Sequence, residues 1–139
     1  MNSDYSISTD KQKLDIPLIH HFLVNDSYWA NNRTLETVKT SIKNSLCFGV
    51  YSNNIQVGFA RVVTDCAVFA WILDVFILKE HRGKGLGKLL MTAITNHDQL
   101  QTIKRWGLAT DDAHGLYEKF GFELIKRPEI LMQKTADPS

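Results

Sequence analysis

Residues 67–88 read AVFAWILDVFILKEHRGKGLGK. An apolar run, broken once by Asp74, leads through a short charged turn into three closely spaced glycines, Gly83, Gly85 and Gly87. Ala67–Leu78 is rich in β-branched and aromatic residues and reads as a strand. Leu86, Leu89, Leu90, Ala93 and Ile94 then fall on one helical face, which predicts a helix from about Gly83 to His97. Upstream, Leu46–Tyr51 and Ile55–Val63 share the strand character, and Asn53-Asn54 between them is a hairpin signal. Thr64-Asp65 turns the chain again, so three consecutive strands form an antiparallel meander.

Tyr5–Ser8 alternates like a short strand. Asp15-Ile16-Pro17 then offers a helix start ahead of Leu18, Ile19, Phe22 and Leu23. A second helix follows Asn31-Asn32, with Leu35, Val38 and Ile42 as its apolar stripe. Downstream come a strand at Trp106–Ala109, parallel to the last meander strand by the crossover rule, and a helix at about Ala113–Phe120. Strand-like stretches at Phe122–Ile125 and Ile130–Gln133 follow. The expected fold is α+β, a mainly antiparallel mixed sheet with flanking helices in the order β-α-α-β-β-β-α-β-α-β-β.

The chain has 139 residues, 44% of them apolar and 22% charged, which fits one compact domain over residues 1–139 and excludes wholesale disorder. The polar ends, Met1–Asp4 and Thr135–Ser139, are expected to fray. The longest apolar run, Cys66–Leu73, is far short of the ~18–20 residues of a membrane span. No signal-peptide pattern opens the chain, and Cys47 and Cys66 match neither a disulfide framework nor a metal spacing. A soluble, cytoplasmic protein without a metal is expected. The net charge of +1 is too small to drive adhesion to nucleic acid or an anionic membrane. Lys79, Arg82, Lys84 and Lys88 nonetheless form a local basic cluster, opposed only by Glu80.

The glycine-rich turn lies where a strand ends and a helix begins. Free amides at a helix start form an anion site, and glycines let a phosphate approach the backbone. The dinucleotide pattern G-x-G-x-x-G fails at Lys88, and a Walker loop fails because Arg82 precedes and Leu89 follows the Gly87-Lys88 pair. What fits is R-x-x-G-x-G, carried by Arg82, Gly85 and Gly87, and here the sequence resembles the GNAT superfamily of acyl-CoA-dependent N-acetyltransferases. The resemblance implies that the turn, Arg82, Gly83, Lys84, Gly85, Leu86, Gly87 and Lys88, binds the coenzyme A pyrophosphate. It also implies that the pantetheine arm lies along Val75-Phe76-Ile77. A second segment, Leu116-Tyr117-Glu118-Lys119-Phe120-Gly121-Phe122, resembles the family's L-Y-x-x-x-G-F pattern, whose tyrosine protonates the departing thiolate. The family often has Asn where this chain has Thr110, a further expected contact to the cofactor. The resemblance spans most of residues 46–133.

Two readings of Tyr117 stand on the residues themselves. Ala113, Leu116, Tyr117 and Phe120 form a helical stripe, so Tyr117 is either packing or, as the resemblance implies, the general acid. Asp74 is either a half-buried carboxylate with a raised pKa serving as general base, or an acid reaching solvent at the sheet face. Asp111 and Asp112 are alternatives for the base, although an acid just before Ala113 reads first as a helix cap. His114 is one turn from Tyr117 and is otherwise a surface residue. The acceptor pocket is expected near Tyr28-Trp29, Arg61 and Trp71, whose aromatic rings suit an amine with an apolar body or else belong to the core. Neither cysteine lies near the motifs, which argues against a covalent acyl-enzyme.

The sequence therefore points to an N-acetyltransferase that moves an acetyl group directly from acetyl-CoA to a primary amine. That acceptor is expected to be a small molecule, the protein a monomer or homodimer. The competing readings are a protein lysine or N-terminus as acceptor, and a non-catalytic acyl-CoA sensor.

Overall fold

The computed structural model describes residues 4–136, and most of the two ends expected to fray falls outside them. The elements are β1 (Tyr5–Ser8), α1 (Ile16–Asp26), α2 (Leu35–Lys43), β2 (Leu46–Ser52), β3 (Ile55–Thr64), β4 (Phe69–Ile77), α3 (Leu86–Thr95), β5 (Arg105–Leu108) and α4 (His114–Glu118). The strands lie in sequence order in one sheet, antiparallel from β1 to β4 and parallel between β4 and β5. No helix among the described residues is long and apolar enough to cross a membrane.

Local chemistry explains most of these boundaries. The β2–β3 hairpin turns on Asn53 and Asn54, both left-handed with φ of 52° and 66°, the geometry that matches strand twist. At the β3–β4 turn one carboxylate oxygen of Asp65 accepts the backbone N–H groups of Ala67, Val68 and Phe69. That Asx-type turn delays β4 to Phe69, two residues later than the apolar run predicts. Asp15 caps α1 through the N–H of Leu18, and Thr34 caps α2 through that of Thr37.

The sheet separates two cores. One face carries Phe48, Val50, Ala60, Val62, Ala70 and Ile72 against Leu86, Leu90, Met91 and Ile94 of α3 and Tyr117 of α4. The other carries Cys47, Phe59 and Phe76 against Ile19, Phe22 and Leu23 of α1 and Val38 and Ile42 of α2, with Phe22 stacked on Phe76 at 4.0 Å. Strand β4 serves both cores in turn: Ala70 and Ile72 face α3, whereas Phe76 faces α1 while Val75 and Ile77 turn toward the α3 side. The switch is a β-bulge. Phe59 pairs with Phe76 but Arg61 with Leu73, so Asp74 and Val75 together oppose Ala60, and Asp74 sits at φ 55°. Among non-glycine residues Asp and Asn tolerate this conformation best, which explains one acid in an apolar strand.

The two strands expected at Phe122–Ile125 and Ile130–Gln133 do not form; among the described residues the sheet ends at β5. Gly121, at φ 89°, closes α4, the Phe122 N–H returns to the Tyr117 carbonyl, and Phe122 packs edge-on against Tyr117 and Trp106. Beyond it the chain leaves the core, with Leu124 and Met132 76% and 97% exposed. Pro128 has no N–H for a ladder, and a 3-10 turn at Pro128–Ile130 consumes the start of the second stretch.

Gly58 shows how tightly the end of β4 is held. A Cβ there would meet Ile77 Cδ1 at 2.7 Å and the Phe76 carbonyl and Val50 Cβ at 3.1 Å. Gly58→Ala is therefore expected to cost about 1–3 kcal/mol by overpacking, read as a lower urea midpoint with an unchanged slope.

Candidate functional site

The site begins where β4 and β5 part. Their pairing stops at Ile72 and Leu108, while β4 continues to Ile77. The backbone of Leu73–Ile77 thus has no strand on that side, and the gap opens toward Tyr117. A cleft of about 270 Å³ fills it, lined among others by Tyr28, Trp29, Trp71, Asp74, Val75 and Tyr117.

Asp74 is the pivot. Because the bulge turns it toward the α1–α2 side, its side chain is only 2% exposed and its carboxylate lies within reach of three donors. Arg33 Nη1 donates to it at 2.7 Å, Arg61 Nε at 2.9 Å and Trp29 Nε1 at 3.1 Å. Burial pushes the carboxyl up, but the hydrogen bonds and charges of Arg33 and Arg61 outweigh it and hold the pKa below the ordinary value. The raised pKa expected of Asp74 is thus corrected, because a carboxylate stabilised by two guanidinium groups keeps its charge and is a weak proton acceptor. Arg33 escapes a reading of the sequence because its partner is 41 positions away with no local pattern to connect them. Arg61, expected near the acceptor, is absent from the cleft lining. Its Nη1 donates to Ser45 Oγ at 3.0 Å, and it lines a separate, larger groove of about 470 Å³ along α2 that shares no lining residue with the cleft.

The clasp ties the α1–α2 connection to the sheet. Trp29 is oriented by Asp74, Tyr28 meets it edge-on at 5.0 Å between ring centroids, and the Asp111 N–H donates to the Tyr28 hydroxyl at 3.3 Å. Tyr28 and Trp29 are 57% and 41% exposed, so they are walls of the cleft and not core. Trp71 adds a third aromatic wall; its ring covers Gly107 on β5, where a Cβ would overlap it.

Tyr117 is 93% buried by its residue surface and packs in the α3-side core, yet its hydroxyl makes no hydrogen bond within the described residues. Burial first, then the nearby Asp112 and Tyr28, push its pKa above the ordinary value, so it stays protonated at neutral pH. Neither aspartate caps α4 as expected. The Thr110 hydroxyl instead accepts the N–H groups of Ala113 at 3.0 Å and Asp112 at 3.4 Å, leaving both acids exposed at the rim of the cleft.

The glycine turn is exposed from Arg82 to Gly85. Gly83 and Gly85 sit at φ 77° and 76°, and the helix begins at Leu86, later than the expected start at Gly83. No side chain caps α3, so its first-turn amides have no side-chain acceptor. A Cβ on Gly83 would meet nothing within 4 Å, so conformation and not space selects glycine there, whereas a Cβ on Gly87 would come within 3.2 Å of Leu116 Cδ2 of α4. Arg82 folds back, its Nε donating to the Ile77 carbonyl at 2.9 Å, and so fixes the turn to the end of β4. The Tyr5 hydroxyl meets His81 Nδ1 at 2.9 Å, tying β1 to the same turn. Cys47 is buried, its thiol pushed up to about 11 by burial, and Cys66 lies exposed in the β3–β4 turn; neither lines the cleft.

A family model described as an acetyltransferase (GNAT) domain matches residues 43–124. A crystal structure from Xanthomonas campestris pv. campestris, of a protein assigned to the same family, superimposes with a TM-score of 0.92 at 47% identity. The match covers 95% of this chain and 93% of that one. A protein of Gibberella zeae provisionally named an acetyltransferase is 29% identical over 84% of this chain and 77% of its own length. An uncharacterized N-acetyltransferase of Porphyra purpurea is 34% identical over 75% of this chain, which spans 62% of that relative's length.

The clasp makes a stability prediction. Asp74→Asn leaves two guanidinium groups facing a neutral amide and should cost roughly 2–4 kcal/mol, less than a fully buried pair because Arg33 and Arg61 keep some solvent contact. Because the folded pKa is depressed, the wild-type advantage is present above the unfolded value of about 3.9 and fades as pH falls below it. Urea unfolding of both proteins at pH 7 and pH 3 measures the gap, which should narrow at pH 3.

Proposed function

This chain belongs to the GNAT acetyltransferase family, and on that premise we propose that it transfers an acetyl group from acetyl-CoA to the primary amine of a small molecule, without an acyl-enzyme. The carrying observation is the Tyr117 hydroxyl: protonated, without a hydrogen-bond partner among the described residues, and belonging to a side chain that lines a cleft open along the unpaired side of β4. A side chain rooted in the core that also lines the cleft is placed to give a proton to a group bound there.

Acetyl-CoA, when bound, supplies an activated thioester. The turn fits its pyrophosphate. Gly83 and Gly85 expose their backbone, the uncapped start of α3 adds free amides and a favourable dipole, and Lys88 adds positive charge. The open backbone of Val75–Ile77 offers N–H groups to the pantetheine amides and to charge developing on the carbonyl oxygen. Thr110 lines the cleft, and because its hydroxyl accepts from two backbone amides, its own O–H is the donor it can offer to the pantetheine arm. Attack by the amine nitrogen forms the new C–N bond and breaks C–S; the thiolate takes its proton from Tyr117, the amine's surplus proton leaves to water, and the tyrosinate regains a proton from water. Asp74, paired as it is, holds the site's shape and does not itself carry that proton.

Two further features support the reading. Neither cysteine lines the cleft, so a detour through a cysteine thioester has no nucleophile there. The volume of about 270 Å³ lies at the small end of ligand pockets, which suits a small amine better than an extended peptide.

Tyr117→Phe tests the proposal. The hydroxyl has no hydrogen bond to lose, so stability should change by less than about 0.5 kcal/mol and acetyl-CoA affinity should stay near wild type. Thiol release should fall 10²–10⁴-fold, roughly 3–5 kcal/mol of barrier. Full turnover in the variant would make Tyr117 a packing residue.

A further inference from the structure

Resting on that reading of the cleft, we infer that the acceptor is a cationic amine with an aromatic or otherwise apolar body and no carboxylate or phosphate of its own. The observation behind it is the sign of the charge around the cleft. Its charged lining residues are Asp74, Asp111 and Asp112, and no lysine or arginine lines it. The charge of Asp74 is answered from behind by Arg33 and Arg61, whose guanidinium groups are committed to it and stand outside the lining. Asp111 and Asp112 form no ion pair among the described residues, so the mouth presents uncompensated negative charge.

The aromatic walls supply the rest. Tyr28, Trp29 and Trp71 line the cleft together with those acids, and Trp29 is held by its indole N–H on Asp74, so its position is fixed before a ligand arrives. Aromatic faces attract both a cation and an apolar body. An ammonium ion is drawn in by the rim, whereas an anionic substituent meets two like charges at the entrance and no cation inside. The acids are at the exposed rim and not at the floor, so they concentrate the ammonium form without trapping it where the nitrogen must lose its proton.

The test pairs three amines in the thiol-release assay with acetyl-CoA: 2-phenylethylamine, phenylalanine, which adds a carboxylate to the same ring and amine, and ethanolamine, which lacks the apolar body. Binding of each is followed in parallel by tryptophan fluorescence and calorimetry. Expected is a kcat/KM for 2-phenylethylamine at least about tenfold above either of the others, with the preference over phenylalanine shrinking as salt is raised. In the Asp111→Asn, Asp112→Asn double variant the same preference should fall several-fold, a comparison in which intrinsic amine reactivity cancels. Equal or better use of phenylalanine, or an unchanged preference in the double variant, overturns the inference while leaving acetyl transfer intact. Tight, charge-selective binding of 2-phenylethylamine without acetylation of any amine would instead keep the charge selection and sink the transferase reading. Binding of none of the three overturns the inference.

Discussion

A single carboxylate in a left-handed position on β4 organises this protein. The bulge at Asp74 turns the strand so that its first half feeds one core and Phe76 the other, and it aims the carboxylate at the α1–α2 side. There it accepts from Trp29, Arg33 and Arg61, which come from an interhelical connection and from β3. An unpaired charge in that place would be costly, so sheet and connection are held together by the need to satisfy it. The aromatic wall of the cleft is a consequence of that bond.

The two ends of the site are built differently. At the end proposed for the cofactor, backbone shapes the surface: a splayed strand, two glycines at positive φ, and an uncapped helix whose packing against α4 is so close at Gly87 that a side chain would press on Leu116. At the acceptor end, side chains do it, and they are long-range neighbours fixed by the clasp. Tyr117 stands between, rooted in the α3-side core, so its hydroxyl is placed by packing and not by a hydrogen bond. This division lets the aromatic wall vary without disturbing the glycine turn.

What was legible in the sequence is what short-range chemistry determines. Asn53-Asn54, the apolar faces of α1, α2 and α3, and the glycine spacing each carry their meaning within a few residues, and the structure follows them. The helix starts shifted where conformation overrode periodicity, as at Gly83 and Gly85. Asp74 was visible as an anomaly in an apolar run, but its role was not, because Arg33 and Arg61 lie 41 and 13 residues away. The alternation after Gly121 was equally visible, yet a strand also needs a partner edge, and Pro128 and the turn after it break the stretch. That the Thr110 hydroxyl accepts from the N–H groups of Asp112 and Ala113 was likewise beyond reach of spacing alone.

If Asp74 is a clasp, its loss must weaken the acceptor wall without altering proton transfer. The direct measurement is the pH dependence of kcat/KM for one amine, in wild type and Asp74→Asn, across the range in which both remain folded. A clasp predicts a profile lowered chiefly through a higher KM, with the acidic limb at the same midpoint. Disappearance or displacement of that limb, with the loss falling on kcat, would make Asp74 the base and contradict the account.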